Sequence, residues 1–516
     1  MRYTLNTTPL RKPVKPRNSL TRWRFELVVR NQVALSNATG LKLINTQRPN
    51  LGPVPGLMQA AFLVSFALCT TIEAQTQFSA KGLSAPVEMK PQQEGVVEVH
   101  FDMLPTSMRF NAPAYPCLVT ENDILYSNGF AETYDPRLDP DALETSFEPA
   151  FDDFNQYARM WIESQHDARI IVRVRGALVS DEGKHIAHTD VSSGSPYGAG
   201  DWVDEWYYIY PDGVHTRHVK IYTGLASRSI PFGSDREPPR VIHEFMEAMV
   251  LGKKGHTPQE DIESGGITLI KTVGDYSEDV IAEGKSKTFS FSPYPRDFGA
   301  FSSANILVVN LKARYKPFTI AMPYGLRTQP YKRDDPLKNG FQVWGEPPKS
   351  NYTVPFGHMV NYGHYRKTET TIEQVYLSGM IAADDPRKEL VPLAWSWIVP
   401  PKVRMQNQTP SYDIQYYDPA QKAYVLDWKQ NQTELEFELL ADADYYGVNS
   451  TIVNPAFVVR GWGNAPVQLQ VNDQPIDFGK DFRIGYEATE NGTNLIIWLK
   501  LESNEPIQLS LRKAGL

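Results

Sequence analysis

Short segments in which apolar and polar residues alternate recur along the chain, separated by Gly, Asn, Asp and Pro. The clearest of them cover residues 96–101, 168–179, 305–311, 467–471, 495–499 and 507–511. A period of two is the pattern of a strand with one buried face. The chain also has 39 Pro residues, which are poorly tolerated inside helices and central strands. The pattern therefore predicts an all-β protein with many loops and few helices.

The domain organisation follows from length and from one change in pattern. A chain of 516 residues exceeds what one hydrophobic core usually organises. Residues 399–402, with two adjacent prolines, interrupt the alternation. We expect a large β-sandwich or jelly-roll-like domain over residues 75–400 and a smaller C-terminal β-sandwich domain over residues 401–516. Residues 1–74 form an N-terminal extension.

The N-terminal extension has the features of an export signal. Residues 1–56 contain ten Lys or Arg and a single acid, Glu26, and residues 57–69 carry no charge. An apolar run of about thirteen residues is too short to span a membrane but suits the core of a signal peptide. Cleavage after Ala74 would complete a signal segment of about 58–74, which predicts a secreted or periplasmic protein. The alternative is a buried core helix.

Net charge and cysteine content limit the classes of partner and metal site that the protein can have. Removing the ten bases and two acids of residues 1–74 leaves 42 bases and 58 acids, a net charge of −16. That balance argues against nucleic-acid or membrane binding, and it allows an anionic substrate only at a local basic groove. Cys117 is the one cysteine left, so neither an intrachain disulfide nor a cysteine-based metal site is expected. We expect a monomer that requires no cofactor, with no signal for structural calcium or zinc.

Residues 201–222 carry the strongest local signal. Tyr210-Pro211-Asp212-Gly213-Val214 has the chemistry of a hairpin turn. If Tyr210 opposes Val214, one face carries these cross-strand pairs: Tyr208 with Thr216, Trp206 with His218, Asp204 with Lys220, and Trp202 with Tyr222. The other face is mainly apolar, and on it Glu205, Tyr207 and Arg217 can meet as a buried polar set.

The first of these faces combines aromatic, charged and hydrogen-bonding side chains, which favours a carbohydrate-binding sheet. An ordinary hairpin with a wet outer face is the alternative. The preceding loop contains His188, which is either a general base or a structural group, and Tyr197. His243, Glu244 and His358 lie in further polar clusters. No hydrolase, zincin or nucleotide-binding motif is present.

Several segments carry a family resemblance. They are residues 186–188, 195–198, 200–214, 243–245, 257–261, 417–426 and 453–463. Together they resemble secreted proteins of bacterial polysaccharide-utilisation loci, and the group is similar to the ulvan lyases of polysaccharide lyase family forty. The matches span roughly residues 160–465. The segment around His358 fits the group's pattern only in part.

The resemblance implies β-elimination on a uronate-containing, sulfated, ulvan-like polysaccharide. That reaction needs a base, an acid for the leaving oxygen and a cation for the uronate carboxylate. The implied catalytic residues are His188 or His243 as base with Tyr208 as acid, or the reverse, and Arg175 or Arg217 on the carboxylate. A sheet ion pair between Arg217 and Glu205 is the alternative. The implied substrate-binding residues are Tyr197, Trp202, Trp206, His218, Lys220, Glu244 and His358, and no metal ligand is implied.

Two rival functions remain open. A glycoside hydrolase would use a carboxylate pair drawn from Asp204, Glu205 and Glu244. A non-catalytic carbohydrate-binding protein would use the aromatic face alone.

Overall fold

A computed structural model describes residues 79–82, 96–111, 115–134, 146–152, 156–180, 183, 185–231, 241–253, 255–272, 284–323, 325–331, 353–361, 365–406, 416–429, 431–441 and 450–514. The predicted signal segment lies outside the described residues. No helix among the described residues is long and apolar enough to cross a membrane.

Most of the described chain is in strands, as the alternating pattern predicted. The strands are β1 (Ser79–Gly82), β2 (Val96–His100), β3 (Ser107–Asn111), β4 (Cys117–Val119), β5 (Leu125–Ser127), β6 (Glu132–Tyr134), β7 (Ser146–Glu148), β8 (Arg159–His166), β9 (Arg169–Ala177), β10 (Val179–Ser180), β11 (Trp202–Ile209), β12 (His215–Tyr222), β13 (Ser229–Pro231), β14 (Val241–Glu244), β15 (Glu247–Gly252), β16 (Ile262–Lys271), β17 (Lys285–Phe289), β18 (Ile306–Leu311), β19 (Lys316–Ala321), β20 (Leu326–Pro330), β21 (Val354–Asn361), β22 (Arg366–Lys367), β23 (Thr371–Ile381), β24 (Lys402–Met405), β25 (Tyr417–Asp418), β26 (Ala423–Asp427), β27 (Glu434–Leu440), β28 (Ile452–Val453), β29 (Ala456–Arg460), β30 (Val467–Val471), β31 (Gln474–Ile476), β32 (Phe482–Thr489), β33 (Gly492–Leu499), β34 (Glu502–Ser503) and β35 (Ile507–Lys513).

Helices are short and few among the described residues. They are α1 (Pro258–Asp261) and α2 (Arg387–Ile398), with 3₁₀ turns at Pro149–Phe151, Ala226–Arg228 and Gly299–Phe301. All six segments singled out by alternation correspond to strands. The prediction of an all-β, sandwich-type protein is confirmed.

The described residues before residue 400 form three sheets. The central sheet has the order β17-β16-β18-β19-β23-β12-β11-β9-β8, with β22 beside β23. The front sheet runs β1-β2-β3-β4-β5-β15-β21-β20, and the small sheet runs β10-β7-β6-β14-β13. The inner face of the central sheet buries its apolar side chains with those of the front sheet in one core. Tyr207 of β11, for example, meets Phe110 of β3 edge to face, with ring centroids 5.0 Å apart.

Beside the short pair of β28 with β34, the described strands after residue 400 form two five-stranded sheets around a core of their own. Their orders are β24-β27-β35-β30-β31 and β25-β26-β29-β33-β32, and Phe437, Phe457 and Ile497 are buried where the two sheets meet. We call these two sheets the terminal sandwich. The predicted change at residues 399–402 falls between α2 and β24.

The outer face of the central sheet is covered unevenly. Over β18, β19 and β23 it packs against α2, where Val308 and Leu377 contact the cluster of Val391 and Trp397. Over β8, β9, β11 and β12 many side chains are only half-buried. This half-buried area contains the hairpin face that the sequence predicted to be a binding surface. From here on, "outer face" means this area over β8, β9, β11 and β12.

Candidate functional site

The hairpin has the predicted register. Trp202 pairs with Tyr222, Asp204 with Lys220, Trp206 with His218 and Tyr208 with Thr216. Because successive side chains of a strand point to opposite sides, even-numbered residues of β11 lie on the outer face and odd-numbered residues lie on the inner face. This alternation divides the predicted site residues into groups on the two sides of the central sheet.

A row of rings and one guanidinium crosses the outer face, and we call it the stacking row. The Cζ atom of Arg173 lies 5.1 Å from the Trp161 ring centroid and 4.5 Å from that of Trp206. Trp206 stacks on His218 at 5.2 Å, and His218 meets Tyr365 edge-on at 5.8 Å. The row thus runs from β8 through β9, β11 and β12 to the residue before β22. Such rings offer apolar faces with polar edges, the surface that sugar rings stack on.

A second row of alternating charges lies beside it, and we call it the charge row. Arg175 Nε donates to Asp204 Oδ1 at 2.8 Å, and Arg173 Nη2 donates to Asp204 Oδ2 at 2.8 Å. On the next strands, Lys220 Nζ lies 3.2 Å from Glu373 Oε1. Asp204 is fully buried beneath its two guanidinium partners. The cations are therefore held in place by carboxylates below them and remain partly accessible from above.

Tyr197 covers one end of the charge row. Its ring centroid lies 3.4 Å from the Cζ atom of Arg175, and its hydroxyl donates to Asp204 Oδ2 at 2.7 Å. It also meets Tyr222 edge-on at 5.8 Å. Burial and the nearby Asp204 charge raise the pKa of Tyr197, so this phenol stays protonated at neutral pH. The loop that carries Tyr197 thereby forms one wall of the outer face.

His218 and Glu373 form a carboxylate–imidazole pair on the outer face. His218 Nε2 lies 2.9 Å from Glu373 Oε2, so the carboxylate accepts a hydrogen bond from Nε2–H, and this tautomer leaves the Nδ1 lone pair available. Burial alone would raise the pKa of Glu373, but the bonds and charges of His218 and Lys220 outweigh it and lower the pKa to about 2. Glu373 is therefore ionised at every physiological pH and orients the imidazole.

Two predicted residues on the outer face are not accessible in the way the prediction assumed. Trp202 is 9% exposed, and its indole nitrogen donates to the carbonyl oxygen of Ala199 at 3.1 Å. Tyr208 lies under Arg169, whose Cζ is 5.4 Å from its ring centroid, next to the contact with the terminal sandwich. Trp202 therefore packs under the loop, and Tyr208 lies two residues along β11 from the stacking row.

Arg217 lies on the inner face, away from Arg175. It is fully buried and donates to both oxygens of Glu205, from Nη2 to Oε1 at 2.7 Å and from Nε to Oε2 at 2.8 Å. The Tyr207 hydroxyl donates to Glu205 Oε2 at 2.5 Å. The buried polar set expected from the sequence is present, and it belongs to the core.

His188 and His243 meet at the end of β11, on the inner side of the sheet. His188 Nδ1 lies 2.9 Å from Asp201 Oδ2, and His243 Nε2 lies 3.7 Å from the same oxygen. Thr133 donates to that oxygen at 3.1 Å. Burial would raise the pKa of Asp201, but the two histidines lower it. His188 also has a positive φ of 54°, a conformation that costs a non-glycine residue energy.

Glu244 and His358 extend this group, which we call the histidine–carboxylate cluster. His358 Nδ1 bonds Glu244 Oε1, Tyr331 stacks on the His358 ring at 5.3 Å, and Glu247 lies opposite His358 in the strand pairing. Burial raises the pKa of Glu244 and Glu247 well above the usual range. The same burial lowers the pKa of His243 and His358. Neutral acids and neutral imidazoles thus share one buried volume.

The predicted residues therefore separate. Arg175, Tyr197, Trp206, His218 and Lys220 come together on the outer face. His188, His243, Glu244 and His358 come together in the histidine–carboxylate cluster. Tyr208 joins neither histidine, because Asp201, which contacts both, precedes β11, and Tyr208 lies seven positions further on and faces the opposite side.

Four important residues were missed by the sequence reasoning: Trp161, Arg173, Tyr365 and Glu373. Arg173 could have been found, because it shares the parity of Arg175 on β9 and opposes Trp206. Trp161 carries the same kind of signal, because it opposes Arg173 in the β8–β9 hairpin. Glu373 and Tyr365 carry none, since their segment joins β12 from a distant position in the chain. Among the described residues no group of three or more His, Cys, Asp and Glu side chains is arranged to hold a metal ion.

The fold and face define an all-β protein with one partly open, aromatic and charged sheet surface. No protein-family model matches the chain, and no curated protein matches it. Among solved structures, two of the α-N-acetylgalactosaminidase NagBb from Bifidobacterium bifidum are similar, one a complex with GalNAc and one a quadruple mutant. Both have 12% identity and a TM-score of 0.25, and they cover 60% and 58% of this chain. The chain spans only 38% and 37% of the length of those two proteins.

Proposed function

We propose that the protein is a secreted polysaccharide lyase that holds a uronate-containing polymer on its outer face and cleaves it by β-elimination. The observation that carries the proposal is the stacking row with an oriented histidine inside it. Within this row, rings for stacking, guanidinium donors and an imidazole with a fixed tautomer lie side by side.

Local charge supports an anionic substrate despite the acidic chain. The described part of the outer face around the two rows carries five cations, Arg159, Arg173, Arg175, Lys220 and Arg366, against four carboxylates, Glu163, Asp204, Glu373 and Asp418. Guanidinium and ammonium groups bind carboxylates and sulfates. The surface is therefore the local basic region that such a substrate requires on a chain of net charge −8.

His218 suits the role of base. Its Nε2–H donates a hydrogen bond to Glu373 Oε2 at 2.9 Å, so Nδ1 can take the C5 proton of a uronate placed over Trp206. Lys220 and Arg173 flank this position and would neutralise the substrate carboxylate, which makes the C5 proton more acidic. In this assignment His218 replaces the earlier candidates His188 and His243, which lie on the other side of the sheet.

Tyr365 suits the role of acid. Its ring is 5.8 Å from that of His218. Burial, followed by the charge of Asp418, raises its pKa to about 12. The phenol therefore remains protonated at neutral pH. Its proton bonds the Asp418 carboxylate in this structure, and on polymer binding it would be given to the leaving glycosidic oxygen, with Arg366 close to the ring at 5.0 Å. The C5 proton goes to His218, the C4–O bond breaks, and the new C4–C5 double bond conjugates with the carboxylate.

Binding without cleavage is the second candidate, and one observation favours it. The base and acid suggested by the family resemblance, His188 or His243 with Tyr208, are not assembled on one side of the sheet. A hydrolytic carboxylate pair has less support, because Asp204 and Glu205 face opposite sides and Glu244 lies in the histidine–carboxylate cluster.

The decisive experiment follows ultraviolet absorbance while the purified 75–516 protein is incubated separately with ulvan, alginate, hyaluronan and polygalacturonate. Elimination produces unsaturated uronate ends that absorb, so a rise on one polymer supports the lyase. New reducing ends without absorbance would mean hydrolysis. No new ends, with retention of the protein on one immobilised polymer, would leave binding as the function.

A pair of histidine variants tests the assignment of the base. His218→Gln should lower the elimination rate about 10²- to 10⁴-fold, the range of general-base contributions. His100→Gln, on β2 of the front sheet and away from the outer face, should leave the rate unchanged. Equal rates for His218→Gln and the wild type, with both variants folded by circular dichroism, would exclude His218 as the base.

A further inference from the structure

The two ends of the stacking row differ. At one end Trp161 is half-buried on β8, the last strand of the central sheet among the described residues. At the other end Tyr365 packs against the apolar cluster that contains α2. The hydroxyl of Tyr365 also donates to the carboxylate of Asp418. Tyr365 is thus fixed from behind by α2 and from the side by the start of the terminal sandwich.

The long sides of the row are also bounded. On one side stands Tyr197, with its ring against Arg175 and Tyr222. On the other side the terminal sandwich lies on the central sheet, because Thr216 Oγ1 donates to the Ala420 carbonyl oxygen at 2.5 Å. These two walls leave room along the row, across the strands, and block a polymer that runs parallel to the strands.

The dimensions follow from strand spacing. The row crosses β8, β9, β11 and β12 and ends at Tyr365, whose backbone bonds Glu373 of β23, so at ~4.8 Å between neighbouring strands it is about 19 Å long. It is closed at the Tyr365 end, and His218 is the ring next to that closed end. A polymer that lies on the row must therefore stop at Tyr365, with its last sugar next to His218.

We propose that the outer face recognises the end of an acidic polysaccharide chain rather than an internal segment. The terminal sugar would abut Tyr365, the uronate that loses its C5 proton would lie next to it over Trp206, and the following sugars would extend over Arg173 towards Trp161. This inference rests on the proposed function for its ligand class, and it adds that cleavage releases small products from one chain end. A free chain end is the only part of a polymer that fits a row closed on three sides.

The test uses ulvan in two fractions whose mean chain lengths differ about tenfold, supplied at equal uronate concentration. If the wild type cleaves, size-exclusion chromatography should show the smallest unsaturated product from the earliest times while the mean polymer length falls slowly. If it binds without cleaving, the shorter fraction should half-saturate the protein at about tenfold lower uronate concentration, because it contains more ends.

A matched pair of variants tests the closed end. Tyr365→Phe keeps the ring and should retain end preference. Tyr365→Ala opens the row and should bind both fractions alike or release products of many sizes. Binding and product size are both measured for each variant, so loss of the proposed proton donor does not hide the result.

The outcomes separate the two proposals. Early products of many sizes from the wild type, or half-saturation that is independent of chain length, would overturn the end-recognition inference and leave the proposed function standing. Neither binding nor cleavage of any ulvan fraction, nor of the other three polymers, would overturn both.

Discussion

Asp204 and Glu205 are adjacent carboxylates with unlike surroundings. Asp204 faces outward beneath Arg173 and Arg175, whereas Glu205 faces inward and holds Arg217. One position along a strand thus moves a charge from the outer face into a hydrophobic core. Removing one partner of a buried pair leaves the other charge uncompensated, which explains why Arg217 is better understood as a core residue than as a catalytic one.

The alternation of side chains along a strand explains which features of the hairpin could be predicted residue by residue. The turn at Tyr210–Val214 was enough to assign every side chain of the hairpin to a face, and this assignment is confirmed. It could not show that Trp202 packs under Tyr157 and Tyr197. Those contacts depend on how two loops fold over the strand, and no periodic pattern in the sequence records that.

Glu148 gives a prediction about pH. It is 6% exposed, it accepts hydrogen bonds from Tyr115 and Ser146, and burial raises its pKa from 4.5 to about 7. A raised pKa means that the folded state prefers the protonated acid. The stability that protonated Glu148 contributes to the fold is complete below pH 4.5 and is lost as the pH rises through 7.

Glu148→Gln should therefore flatten the fall in stability between pH 4.5 and 7, by up to about 3 kcal/mol over that interval. Urea unfolding at a series of pH values measures the effect. Asp427→Asn, which alters an exposed carboxylate paired with Arg460, is the control and should follow the wild-type curve. A Glu148→Gln curve parallel to that of the wild type would contradict the buried-acid interpretation.

Among the elements, the β11–β12 hairpin was the most predictable and α2 the least. The hairpin register follows from local turn chemistry, with Tyr210 N donating to Val214 O at 3.0 Å and Val214 N donating to Asp212 Oδ1 at 3.1 Å. Helix α2 contains Pro392 and buries nearly every residue from Leu390 to Ile398. It therefore lacks the one-sided periodicity by which a helix is usually found.

The hairpin turn yields a prediction at the element scale. Gly213 has φ of 78°, and a Cβ atom there would lie 2.9 Å from Phe101 Cδ2. Gly213→Ala should lower the free energy of unfolding by about 2 kcal/mol, from left-handed strain and crowding together. Gly479→Ala is a matched control, because a Cβ at that position meets nothing within 4 Å. Chemical denaturation compares the two, and equal losses would show that the turn geometry is not the cause.

At the scale of the whole molecule, the terminal sandwich completes the site that the central sheet begins. It covers Tyr208, forms one wall of the stacking row and supplies Asp418 to Tyr365. Several contacts of the terminal sandwich join residues more than 200 positions apart, such as the bond from the Tyr210 hydroxyl to the Gln421 carbonyl oxygen at 2.6 Å. A sequence pattern reports the period of a strand but not which distant segment will cover it, so this part of the site was not predictable.

Arg169 is the main polar link between the central sheet and the terminal sandwich. It is 2% exposed and donates to both oxygens of Glu487, at 2.8 and 2.6 Å, while Nη1 donates to Gln421 Oε1 at 2.9 Å. His166 Nε2 lies 3.0 Å from the same carboxylate. Burial would raise the pKa of Glu487, but Arg169 and His166 lower it, so its stabilisation is present above pH 4.5 and is lost as the pH falls.

Arg169→Met should therefore cost about 3–5 kcal/mol, because Glu487 would stay partly buried without its main cation. Hydrogen exchange should speed up most on β32 and on the turn before β26, which face the central sheet. Arg460→Met, in the same sandwich but at an exposed pair with Asp427, should cost less than about 1 kcal/mol. If Arg169→Met also loosens the stacking row, binding to ulvan should weaken with it, because the wall next to Tyr208 and Tyr365 would no longer be held. Fast exchange confined to β8 and β9 in the Arg169→Met protein would instead mean that Arg169 supports its own sheet and not the contact between the two bodies.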